Sequence, residues 1–176
     1  PGQDMVLGNY YLTMEQDAAS FERKAKYYDE MGEFGKAERY RLFAASEGKV
    51  FASPNEVRLA YDTKQIHLHN RIALPARSLN NPTFSTEQND KYFVTTVGKL
   101  IFNQIFPDGF PFLNCAENEN FEAVPERFFV PKGTHIKEYI QQQPINKPFI
   151  KKFLGKIINE VFNRFKTEKT SVMLDK

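Results

Sequence analysis

The sequence predicts an α+β fold in which small strands accompany several helices. Three observations lead there. Residues 147–166 carry Phe149, Ile150, Phe153, Leu154, Ile157, Ile158, Val161, Phe162 and Phe165 at helical spacing, one wide apolar stripe that predicts a helix. Lys91-Tyr-Phe-Val-Thr-Thr96 is β-branched and aromatic and predicts a strand. Residues 17–48 are dense in charge and broken by Gly32 and Gly35, which predicts two short helices joined by a turn.

Taken in order, residues 3–15 read as a first helix, with Met5, Leu7, Tyr11 and Met14 loosely spaced and Gly8 as a weak point. A helical hairpin follows at about 17–47. Its Tyr28, Gly32, Ala37 and Tyr40 have offsets like those of one tetratricopeptide unit, but such units need stacked neighbours and no second copy is present. A surface hairpin inserted into a host domain is the preferred reading.

Lys49-Val-Phe-Ala reads as a short strand. Ser53-Pro-Asn-Glu56 is a capping box with proline at the first helical position, opening a helix to about Asp62. His67-Leu-His-Asn-Arg-Ile-Ala-Leu alternates like a half-buried strand, and Leu79-Asn-Asn-Pro82 reads as a turn. After the strand at 91–96, Thr95 or Thr96 caps a helix carrying Val97, Leu100, Ile101, Gln104 and Ile105, ended by Pro107-Asp-Gly109. Residues 110–133, rich in Phe, Pro, Asn and Glu, read as an irregular surface excursion. A helical part covers about 134–176, with a last helix starting near Thr167.

The composition narrows the function. The 176 residues suffice for one domain, and 17 Phe, 8 Tyr and no Trp imply a Phe-heavy core. A net charge of +2, from 24 basic and 22 acidic residues, argues against a dedicated nucleic-acid module. The single cysteine, Cys115, excludes an internal disulfide and a cysteine-rich zinc site, and fits a reduced thiol in a cytoplasmic protein. No apolar run has membrane-spanning length, and the first residues are not a signal peptide. A start at Pro1 and a stop within an apparent helix read as a piece of something longer.

No catalytic constellation stands alone. His67 and His69, two apart on the expected strand, would share a face as a metal pair does, but no third ligand is identifiable. Cys115 has no nearby base, and a catalytic thiolate needs electropositive surroundings. Lys147, Lys151, Lys152, Lys156, Arg164 and Lys166 could touch phosphate, although such a row is more often the solvated face opposite a core stripe. The Phe128-Phe129 pair is a candidate for exposed subunit interface.

Four blocks add what composition cannot. Gln3-Asp4-Met5-Val6-Leu7-Gly8-Asn9-Tyr10-Tyr11-Leu12-Thr13 resembles the segment after the catalytic aspartate loop of bacterial RNA polymerase beta-prime subunits. Thr95 to Asn103 with Pro107 to Pro111, His67 to Ile72, and Thr167 to Asp175 are similar to further blocks of that family, in its order. The long form of 110–150, including Gln143 to Phe149, is most like the Firmicutes branch.

The resemblance implies a pore-domain fragment spanning 1–176, beside the secondary channel of a DNA-directed RNA polymerase. Gln3 and Asp4 then match the channel-facing Gln-Asp pair: an amide can bond ribose or base edges, and a carboxylate can orient a neighbouring cation. The plainer role for Asp4 is to cap the first helix and favour its dipole. Gly2 stands where the family usually has serine. The implied partners are the beta, alpha, omega and sigma subunits, template DNA, transcript RNA and nucleoside triphosphates. The magnesium-binding aspartates and zinc-binding cysteines of the full subunit are absent from the sequence, so the fragment alone should be inactive and hold no cofactor. The competing reading is a helical-hairpin interaction module with no enzymatic role.

Overall fold

A four-stranded sheet organises the chain, in the order β1 (Lys49–Val50), β2 (Arg71–Pro75), β3 (Tyr92–Thr96) and β4 (Phe129–Val130). The computed structural model describes residues 3–116, 121 and 123–174, with residues 166–174 described by their backbone. β1 runs parallel to β2, and β2–β3 and β3–β4 are antiparallel. The register sets Leu74 opposite Phe93 and Ala73 opposite Val94, so the strands' two faces carry different side chains.

Both faces are covered. Ile72, Leu74 and Phe93 face a large cluster containing Val57 and Ala60 of α4 (Pro54–Asp62), Val97 and Leu100 of α6 (Val97–Asn103), Phe112 and Phe129. Ala73, Val94 and Val130 pack instead on Ile136 and Ile140 of α7 (Ile136–Gln142). The first four residues of β2 are therefore all buried, where alternation predicted a half-buried strand. The strand also starts at Arg71, leaving His67 and His69 in the turn before it.

Local sequence set several boundaries. Asp17 caps α2 (Ala18–Glu30), accepting from the Ser20 N–H at 2.8 Å, and Gly32 turns the chain at φ +77° into α3 (Phe34–Ala45). Gly35 lies within α3 and does not break it. Ser53 accepts from the Glu56 N–H, while the Glu56 carboxylate reaches back to Ala52 N–H at 2.7 Å, one residue earlier than a standard capping box. Ser85 and Gln88 form a complete capping box on the four-residue α5 (Thr86–Asn89), which the sequence reading missed. Of the two threonines before α6, Thr96 is the cap.

Residues 110–133 depart most from expectation. Many of the described ones do not skirt the surface: Phe110, Phe112, Leu113, Cys115, Phe121, Val124, Phe128, Phe129 and Val130 are all buried. Phe128 and Phe129 thus belong to the core and are not bare interface. Phe110, Leu113 and Phe121 join Phe102 of α6 and Phe149, Phe153, Leu154 and Ile157 in a second cluster. The last of these lie at the start of α8 (Lys151–Leu174), one helix where a break near Thr167 was expected. Its stripe is only partly used, because Ile158 and Phe162 remain exposed.

The hairpin is tied to the sheet by buried polar groups. Glu47 accepts from Ala18 N–H at 2.9 Å and pairs with Arg71 at 3.3 Å, both side chains being almost fully buried. Asn70 donates to the Phe43 carbonyl at 3.0 Å, and Gly48 N–H to the Arg71 carbonyl at 2.8 Å. Gly48 sits at φ +76° with the Lys137 Cα 2.8 Å from where a Cβ would stand, so only glycine fits.

Candidate functional site

Helix α1 (Gln3–Leu12) carries the two residues the sequence singled out, and it has no buried residue. Gln3 and Asp4 lie exposed in its first turn. Asp4 falls inside the helix, where its charge complements the N-terminal dipole. Gly2, where the family usually has serine, lies outside the described residues.

What α1 lacks in burial it gains at its C-terminal foot. Leu12 crosses α6 so closely that a Cβ on Gly98 would stand 1.9 Å from the Leu12 carbonyl oxygen. Thr13, fully buried, donates to the Asn9 carbonyl at 2.8 Å and accepts from Phe149 N–H at 2.9 Å. Glu15 accepts from the Lys99 ammonium at 2.6 Å and from Asn146 N–H at 2.9 Å. Lys99 also donates to the Asn114 carbonyl at 2.8 Å. The Asn114 amide is fixed to β3, accepting from Thr95 Oγ1 at 2.6 Å and donating to the Val94 carbonyl at 2.8 Å. The Lys99 and Glu15 side chains are 0% and 4% exposed. Such a pair persists only because further hydrogen bonds complete it.

The histidines complete the foot. His69 Nε2 lies 2.7 Å from the Tyr11 carbonyl and Nδ1 lies 2.8 Å from Gln16 Nε2. A carbonyl can only accept, so Nε2 carries the proton and Nδ1 accepts from the Gln16 amide. His69 N–H donates to His67 Nδ1 at 3.0 Å, which makes the second ring neutral as well. Burial pushes His67 from 6.5 down to about 4, with the nearby His69 adding to the effect. Burial also lowers His69, against the opposing pull of its bond to the Tyr11 carbonyl.

Both His69 nitrogens are therefore engaged, and the pair has no common strand face, so the metal-pair geometry is not realised. The described residues contain no group of three His, Cys, Asp or Glu side chains able to hold a metal ion. Cys115 is buried, beyond the reach of a substrate. Lys151, Lys152 and Lys156 are exposed, as a solvated face would be, and Arg164 pairs with Glu160 at 2.7 Å. Among the described residues, no helix is long and apolar enough to cross a membrane.

Sequence reasoning singled out Gln3 and Asp4 and did not point to the foot. Glu15 and Lys99 lie 84 positions apart, and neither neighbourhood announces the other. The available hint was a lysine among the apolar positions of Val97-Gly-Lys-Leu-Ile-Phe102.

Comparison with known proteins accounts for the whole chain. The family model described as RNA polymerase Rpb1, domain 3, matches residues 1–176. The DNA-directed RNA polymerase subunit beta' of Exiguobacterium sibiricum is 46% identical over 177 aligned residues, that of Bacillus subtilis 46%, and that of Oceanobacillus iheyensis 48%. Each alignment covers 100% of this chain and 13% of the relative, so the chain spans about an eighth of those subunits' length. The chain belongs to the RNA polymerase Rpb1 domain 3 family.

Proposed function

We propose that this chain serves as part of the largest catalytic subunit of a bacterial DNA-directed RNA polymerase, forming a stretch of secondary-channel wall. In this reading α1 presents Gln3 and Asp4 towards the RNA 3′ end or an incoming nucleoside triphosphate. The Gln3 amide supplies donor and acceptor groups for ribose or base edges, and the Asp4 carboxylate orients a neighbouring cation. Template-directed nucleotidyl transfer, with its magnesium and zinc, belongs to the rest of the subunit. The partners are the beta, alpha, omega and sigma subunits, DNA and RNA, in the cytoplasm.

The observation that carries this reading is the family match over residues 1–176, at 46–48% identity to subunit beta' of three bacteria. The exposure of Gln3 and Asp4 on a helix with no buried residue supports their role. The hairpin's buried ties through Glu47, Arg71 and Asn70 disfavour an independent interaction module.

Gln3→Ala in the full subunit, assembled into polymerase, tests the reading. Pausing and backtracking should change while assembly stays normal. Wild-type elongation and backtracking would refute the role of Gln3. The purified 176-residue chain should incorporate no nucleotide, with or without magnesium.

A further inference from the structure

We propose that Lys99 is a positioning residue: by holding Glu15 beneath the foot of α1, it sets the direction in which that helix carries Gln3 and Asp4. This deepens the channel reading and rests on it. Packing alone does not fix α1, because none of its residues is buried and only Val6 and Leu12 lean on the second cluster. The fixing groups lie in residues 11–16, which bind three separate parts of the chain. Tyr11 and Gln16 engage His69 in the turn before β2. Thr13 and Glu15 engage Phe149 N–H and Asn146 ahead of α8. Glu15 also takes Lys99 of α6, and Lys99 in turn grips Asn114, which is bonded to β3.

Lys99 joins the foot to α6 and, through Asn114, to β3. It has 0% exposure, two short hydrogen bonds, and the Phe149 ring centroid 5.8 Å from its ammonium. Leverage makes this matter. A ten-residue helix is about 15 Å long, so a tilt of roughly ten degrees at the foot moves its far end by roughly 3 Å. Displacements of about 1 Å are enough to spoil the positioning of a reacting group.

The test uses the full-length subunit in assembled polymerase. Lys99→Met alone strands a buried carboxylate and can unfold the chain, so the working variant is the Glu15→Met, Lys99→Met double, which removes both charges. Amide exchange in α1 should become about tenfold faster while β2 and β3 exchange as before. Backtracking should shift in the same direction as in Gln3→Ala, and adding Gln3→Ala to the double variant should give less than the sum. Wild-type exchange in α1 overturns the proposal. So does a loosened α1 with wild-type backtracking, if Gln3→Ala alters backtracking. If Gln3→Ala itself changes nothing, the channel reading fails and exchange alone decides: a faster α1 over an unchanged sheet upholds the clamp, and an unchanged α1 removes it.

Discussion

Helices α1 and α6 touch each other and are built on opposite principles. α6 has seven residues and buries Val97, Gly98, Lys99, Leu100 and Phe102, whereas α1 has ten and buries none. Helices this short are marginal in water, so each needs support from outside itself. α6 obtains it from apolar burial between two clusters. α1 obtains it from hydrogen bonds gathered at one end. A helix supported by burial has its side chains spent on packing, while one anchored at its foot keeps them free for contact with something else.

The comparison can be broken most forcefully on the packed side. Phe93 is fully buried and meets the rings of Phe84, Phe112 and Phe129 at 5.0–5.5 Å. Phe93→Ala should destabilise the chain by about 3–5 kcal/mol, read from denaturant unfolding. A cost like that of a surface substitution would show that the sheet cluster is not the main source of stability.

The contact between the two helices is the next target. Gly98→Ala places a methyl group 1.9 Å from the Leu12 carbonyl, a backbone atom that cannot rotate away. Parting α1 from α6 should cost roughly 1–3 kcal/mol. The loss should appear first as faster amide exchange in α1, ahead of the sheet. Equal exchange in wild type and variant would mean that α1 is not seated on α6.

A milder, pH-dependent effect comes from the turn at α1's foot. His67 titrates near 6.5 when unfolded and at about 4 when folded, so the unfolded chain binds more protons between those values. Stability should therefore be level above pH 6.5, fall as the pH drops through the window, and level off again near 4 as far as this group is concerned. His67→Phe, which suits the surrounding Phe21, Tyr40 and Phe43 rings, should flatten that window. It should also cost about 1 kcal/mol for the hydrogen bond from His69 N–H. An unchanged pH slope in the variant would assign the loss to another group.

Several parts of this architecture could be read directly. The cap at Ser53, and a threonine cap at 95 or 96, were legible because a cap is a contact between residues three apart. The hairpin was legible because charge density and Gly32 mark two amphipathic helices and a turn. The α+β class followed from the same local periods. Other features were not. Alternation in 67–74 suggested one wet face, but α7 arrives from far along the chain to cover it. The 110–133 segment has the Pro, Asn and Glu of a surface loop, yet its buried phenylalanines divide between the sheet cluster and the cluster at the start of α8.

The site divides the same way. Gln3 and Asp4 were singled out through a resemblance of contiguous residues, whereas Lys99, Glu15, Asn114 and Asn146 form a network with no sequence neighbourhood. By itself the sequence determined the α+β class, the helical hairpin, the Ser53 cap and the family, because these depend on groups within a few residues or on ordered blocks. Tertiary structure decided which faces are dry, why a lysine lies in the core, and which direction α1 points. Those outcomes rest on partners up to 136 positions apart, as between Thr13 and Phe149, and only the folded chain brings such pairs within hydrogen-bonding range.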